Sequence, residues 1–184
     1  SGALNNAFPL TQALCLPYVF DSVAHMRAAL DGGIADAVLA GFESRELVGL
    51  AIYDSGARCF YNTRHPIVAP KDLHGMKMRV AASDIFIKLV RLLGANPTPM
   101  PFGELFSALQ QKTIDGQENP STSNFLQKFY EVQKFSTLSN HFYSPFVFMY
   151  SKKIWDTYPK EDQDLILKAA REAGLYQRKI NRDT

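Results

Sequence analysis

The chain is poor in the residues that announce chemistry. Of its 184 residues only two are cysteine and one is tryptophan. Cys15 and Cys59 are too few and too far apart for a metal motif or a disulfide framework, so they read as small buried hydrophobes. The four histidines, His25, His65, His74 and His141, lack helical pairing and metal-ligand spacing. There is no Gly-x-Ser-x-Gly elbow and no glycine-rich phosphate loop, since Gly32-Gly33 sits inside or between helices rather than after a strand. Asp115 and Glu118 stand three apart, but with no neighbouring nucleophile they read as structural. Nothing here points to a catalytic residue or a metal. No apolar run approaches the ~20 residues of a membrane span. Twenty basic against 18 acidic residues leave a net charge of +2, and their scatter excludes a nucleic-acid footprint. The opening, "SGALNNAFPLTQALCLPYVFDS", lacks the charged-then-apolar plan of a secretory signal. If the protein works outside the cytoplasm, its signal is missing from this chain.

What is present is ordinary globular material. Apolar residues make up 46% and charged residues 21%, with 13 Phe and eight Tyr to fill a core. "DSVAHMRAALDGGIADAVLAGFESREL" has helical spacing broken at Gly32-Gly33. "LVGLAIYDSGARCFYNTRHPI" is strand-like, with a turn at Asp54-Ser55-Gly56. A short strand is predicted from Met76 to Val80, then a helix capped by Ser83 or Asp84 and stopped at Gly94. "ANPTPMP" is extended by its prolines. A helix over "FGELFSALQQKT" buries Leu105, Phe106, Ala108 and Leu109; another covers "STSNFLQKFYEVQKF". "NHFYSPFVFMYSKK" is the longest β-like run. The last helix follows Pro159, with Leu165, Ile166, Ala169, Ala170 and Ala173 as its apolar stripe. Short strands alternating with helices indicate an α/β architecture.

The polar run "TIDGQENPS" is read as a loop between two helices. Asp115-Gly116 ends one helix, and Asn119 before Pro120 makes a good N-cap for the next. That accounts for Asp, Gly, Asn and Pro but leaves Gln117 and Glu118 without a reason. Asn119 therefore either spends its amide on a backbone N–H or offers it to a ligand. In "MKMRV", Met76, Met78 and Val80 face one way and Lys77 and Arg79 the other. Arg79 lies near the carboxyl end of its strand, where open α/β sheets bind ligands, and a guanidinium matches a carboxylate two-pronged. The competing reading is a basic stripe on an edge strand. Phe102 is either core or a pocket wall, and Arg58, after a glycine turn, is equally open.

Taken together, "LHGMKMRVAAS", "LLGANPTPMPFGELFSALQQKTIDGQENP" and "FLQKFYEVQKFSTLSNHFY" resemble the solute-binding proteins of tripartite ATP-independent periplasmic (TRAP) transporters, the DctP-like family. Weaker similarity runs from "LPYVF" through "SGARCFYNTRHPI" to "YPKEDQDLILKAAREA". The resemblance implies a type II periplasmic-binding-protein-like fold, two α/β lobes joined by crossing hinge strands. Family members are longer, so the chain resembles an internal fragment with an incomplete first lobe. Residues 1–56 and 145–184 would belong to that lobe and 57–144 to the second. The resemblance also implies a periplasmic monomer that binds a small organic acid, hands it to integral membrane TRAP subunits, and needs no cofactor. The motif positions that hold the acid match Arg79, Arg58, Phe102 and Asn119, with Gln117 and Glu118 bracing Asn119. Ala82 replaces an Asn found in some sialic-acid-binding members, which argues against that substrate. First-lobe ligand contacts, which largely set substrate identity, would lie in the missing portion. The alternatives are an enzyme that uses the same Arg clamp on a small carboxylic acid, and a structural interaction module.

Overall fold

The computed structural model describes residue 4 and residues 6–143 and 145–182. The expected α/β character holds, and the chain divides into two compact units. One comprises the described residues of 20–56 and 144–184, and the other those of 2–19 and 57–143. In the sequence reading 1–56 went together; residues 2–19 instead cluster with 57–143. Their apolar side chains account for this: Cys15 is buried in the same core as Phe60, Met78 and Phe142, and the Tyr18 N–H donates to His141 O at 3.1 Å. Here Pro9–Ala13 forms helix α1.

The first unit pairs helices α2 (Val23–Ala29) and α3 (Ala35–Ala40) with the strand β1 (Leu47–Tyr53). The break at Gly32-Gly33 is a wide turn in which Gly33 takes φ +107°, a backbone region that favours glycine. β1 runs antiparallel to a strand at Phe146–Ser151 as a two-stranded sheet. The terminal helix, Lys160–Arg182, packs Ala170 into the core formed with Leu50, Ala51 and Trp155. Tyr53 Oη donates to Ala170 O at 3.1 Å, and the Asp54 backbone and the Gln177 amide exchange bonds of 2.9 and 2.6 Å. The inward face of that helix takes Ile166 and Ala170 from the expected stripe and adds Gly174 and the half-buried Gln177, while Leu165 is exposed.

The second unit holds a mixed five-stranded sheet. Its strands are β2 (Ala57–Asn62), β3 (Lys77–Val80), β4 (Asn96–Pro99), β5 (Gly116–Pro120) and β6 (Phe135–Tyr143), in the order β4-β3-β5-β2-β6. β3 is parallel to β4 and β5, while β2 is antiparallel to β5 and β6. Helix α4 (Asp84–Leu92) buries Phe86 and Val90 against Met76, Met78 and Val80, the face of β3 that alternation predicts. Helix α5 (Leu105–Gln110) supplies Leu105, Ala108 and Leu109 to a second cluster with Ile114 and Phe129. The strand at Phe146–Ser151 is β7; the long β-like run thus serves two sheets, one in each unit. Helix α7 is Lys152–Trp155, and the terminal helix is α8.

Three readings change. Residues 116–120 are not a loop but the central strand β5, buried along its whole length. Gly116 is required there, because a Cβ would run into Tyr61 O and lie 2.8 Å from Asn62 Cβ. Asn119 does not cap a helix with its side chain; the N-cap of α6 (Ser121–Leu126) is Pro120. Nor does one helix cover 121–135. α6 stops at Leu126, Lys128 turns left-handed at φ 55°, and a short 3-10 turn follows.

Candidate functional site

The sheet order of the second unit places the sequence-derived candidates on neighbouring strands. Arg79 of β3 stands in register with Thr98 of β4 and Gln117 of β5, so Arg79 and Gln117 share a face. β3 is an interior strand, which removes the edge-stripe reading: Lys77 is exposed, whereas Arg79 is only 3% exposed. Arg79 donates from Nε and Nη2 to Met100 O at 3.0 and 2.7 Å. Its guanidinium carbon lies 5.8 Å from the centroid of Phe102, within cation–π reach. Phe102 in turn meets Phe129 edge-on at 5.8 Å and is 42% exposed, so it is anchored at one edge of the second core and open at the other.

Arg58 has a different fate. β2 pairs Arg58 with Pro120 and Phe60 with Glu118, which puts Arg58 and Glu118 on one face. The Arg58 Nε and Nη2 grip the Glu118 carboxylate at 2.5 and 2.9 Å, and Nη2 also donates to Glu118 O at 2.7 Å. Glu118 is wholly buried. Burial pushes its carboxyl up, but the Arg58 charge and the neighbouring His141 pull harder, and the net direction is below the ordinary carboxylate value. His141 Nε2 stands 3.6 Å from Glu118, while its ring stacks on Phe60 at 4.2 Å and its Nδ1 bonds Ser139 Oγ at 2.8 Å. Phe86 lies under the Arg58 guanidinium at 5.2 Å.

Asn119 and Gln117 extend this pair into an amide chain. Arg58 Nη2 donates to Asn119 Oδ1 at 3.0 Å, and Asn119 Nδ2 donates to Gln117 Oε1 at 2.6 Å. Gln117 Nε2 then donates to Asn124 Oδ1 at 3.2 Å and Gln133 Oε1 at 3.0 Å. The direction is dictated by chemistry: a guanidinium can only donate, so every amide downstream is turned oxygen-first toward it.

The two arginines thus differ in electrostatic state. Arg58 has a buried carboxylate of its own. Arg79 has no carboxylate in ion-pairing range among the described residues, and its polar partner is a carbonyl. Desolvation draws its pKa down to about 10, with Glu118 pulling it up and Arg58 pushing it down. A half-open aromatic ring beside a buried cation with no carboxylate partner among the described residues is suited to holding an anion. Among the described residues no group of three His, Cys, Asp or Glu is placed to hold a metal. Cys15 and Cys59 are both buried, and neither forms a disulfide among the described residues.

Of the candidates, Arg58, Glu118, Asn119 and Gln117 are joined directly, and Arg79 and Phe102 contact each other. Sequence reasoning missed Met100, His141, Asn124 and Gln133. Gln133 falls in the quoted "EVQK" stretch, so its motif was visible but its partner across 16 residues was not.

A family model described as "Bacterial extracellular solute-binding protein, family 7" matches residues 1–184. The chain is 40% identical over 172 residues to the 2,3-diketo-L-gulonate-binding periplasmic protein YiaO of Escherichia coli, covering 94% of this chain and 52% of that protein. It superposes with a TM-score of 0.95 and 46% identity on a TRAP periplasmic solute-binding protein from Bradyrhizobium in complex with D-galacturonate, covering 98% of this chain and 60% of that one. A TRAP solute-binding protein from Polaromonas bound to D-erythronate gives a TM-score of 0.96 at 37% identity, with 99% and 60% coverage. The chain spans about half the length of the curated relatives it matches.

Proposed function

Because the chain belongs to bacterial extracellular solute-binding protein family 7 and has a type II periplasmic-binding-protein-like fold, we propose that it captures a hydroxylated organic acid by its carboxylate. Arg79 is the group that takes the charge. The observation that carries this is a guanidinium 3% exposed with no counter-ion among the described residues. Burying a lone charge is costly, and the cost is recovered when an anion pairs with the guanidinium.

Arg58 contributes through position rather than charge. Its own charge is offset by Glu118, and its bond to Asn119 Oδ1 turns the Asn119 N–H pair outward to Gln117 and to the ligand. Phe102 packs against an apolar edge of the acid. The donors gathered at this place match a group that can only accept, which an ionised carboxylate is. The relatives bind 2,3-diketo-L-gulonate, galacturonate and erythronate, which favours the sugar-acid class. The family is one of binding proteins rather than enzymes, so the acid leaves unchanged. A monomer working in the periplasm would pass it to the integral membrane subunits of a TRAP transporter.

Calorimetry of the intact protein against D-galacturonate, D-erythronate and succinate tests this. One-to-one binding of at least one acid is expected, and Arg79→Ala should weaken it by a factor of about 100 to 1,000, as removing one partner of a buried charge pair does. Undiminished binding by Arg79→Ala would refute the assignment. Product formation from a bound acid would restore the enzymatic reading.

A further inference from the structure

We infer that the second unit carries another ligand site, separate from Arg79, for a small ring-bearing carboxylate. A cavity of about 450 Å³ opens between β2, β6 and α6, within the range of small-molecule pockets. Its walls include Tyr61, Asn124, Phe125, Tyr130, Gln133 and Lys134, and no acidic residue lines it.

The polar groups of this cavity are set by the amide chain. Arg58 forces Asn119, then Gln117, to present oxygen backward and N–H forward. Gln117 Nε2 therefore consumes the oxygens of both Asn124 and Gln133. What remains at the end of the chain is an N–H₂ on each, and Gln133 Nε2 is buried without a hydrogen-bond partner although the residue is 93% buried by its 7% exposure. A buried donor without an acceptor points to a group that brings one. Lys134, the one cation in the lining, has no carboxylate within ion-pairing range among the described residues. Donors and a cation without acidic residues select an anion over a neutral sugar. Phe125 and Tyr130 stack on each other at 6.0 Å and 27°, and both are exposed, so they form a flat apolar flank for a ring. The ligand class is thus a ring with a carboxylate, small enough for the cavity. This site does not rest on the reading of Arg79.

Benzoate is the probe, used by saturation-transfer NMR and calorimetry on the intact protein. Arg79→Ala should retain a benzoate site, because the two sites are distinct. Lys134→Ala and Phe125→Ala, both at exposed positions that the fold tolerates, should each weaken benzoate about tenfold. Methyl β-D-glucoside should not compete. The inference is overturned if benzoate fails to saturate at millimolar concentration, if Arg79→Ala abolishes its binding, if the Lys134 and Phe125 variants bind it unchanged, or if the glucoside binds equally well.

Discussion

Replacing Arg79 by Met should make the ligand-free protein more stable while removing its ability to bind an acid. The side chain is similar in reach, so the space is kept and only the charge goes. Burial pulls the pKa of Arg79 down from the ordinary guanidinium range to about 10. At 1.36 kcal/mol per tenfold change in proton affinity, that amounts to about 3 kcal/mol held against the charged form. Two bonds to Met100 O and the stacking on Phe102 are lost with the guanidinium. Each is worth about 0.5–1 kcal/mol, leaving a net gain of about 0–1.5 kcal/mol. The sign with pH follows from linkage. The native state binds its proton less tightly than the unfolded chain, so the penalty is in force at every pH below about 10 and is relieved only as pH rises from there toward the ordinary guanidinium value. At neutral pH the whole difference is visible. Urea unfolding of the ligand-free proteins measures it, and the same titrations with saturating acid should reverse the order, since ligand stabilises only the state that binds it. If Arg79→Met lowers ligand-free stability by more than about 1 kcal/mol and still binds the acid, the account of Arg79 as an uncompensated cation is wrong.

Three further outcomes follow from the same network. Glu118→Gln strands the buried charge of Arg58 and should cost about 3–5 kcal/mol at pH 7, read by urea unfolding. Burial raises the Glu118 carboxyl, but Arg58 and His141 hold it below its usual range, so its contribution is complete above the unfolded carboxylate pKa and disappears as pH falls through the native value. The variant should accordingly show a flatter stability profile below about pH 4, near the reference carboxylate value, and an unchanged profile there counts against the pair. Asn119→Asp keeps the acceptor for Arg58 but sets an oxygen against Gln117 Oε1, now 2.6 Å from an amide nitrogen, and should weaken acid binding by about 10- to 100-fold in calorimetry. Gly116→Ala drives a Cβ against Tyr61 O and Asn62 Cβ, neither of which can move without opening β2 from β5, so a loss of about 2–3 kcal/mol is expected by thermal or urea unfolding.

What the sequence made legible is what short-range periodicity governs. β3 was visible because Met76, Met78 and Val80 alternate with Lys77 and Arg79, and the core does take the three apolar residues. The stop at Gly94 was visible because φ +84° suits a residue without a Cβ. α8 was visible as a helix, yet its inward face came out shifted, because Gly174 and Gln177 pack on Tyr53 and Asp54 and neither residue is hydrophobic. The strand β5 was not legible at all. Gln, Glu, Asn and Pro carry no strand propensity, and only the partners of the sheet explain why they can be buried there. Those partners come from positions 58, 133 and 141, and nothing local encodes that β5 lies between β2 and β3. The same gap governs the site. Arg79 as edge cation and Arg79 as buried cation have identical local sequence; the difference is whether β4 and β5 flank β3 on both sides. Strand order therefore turns a polar run and a lone arginine into an anion-seeking surface. The buried charge of Arg79, without a counter-charge among the described residues, follows from topology rather than from any motif.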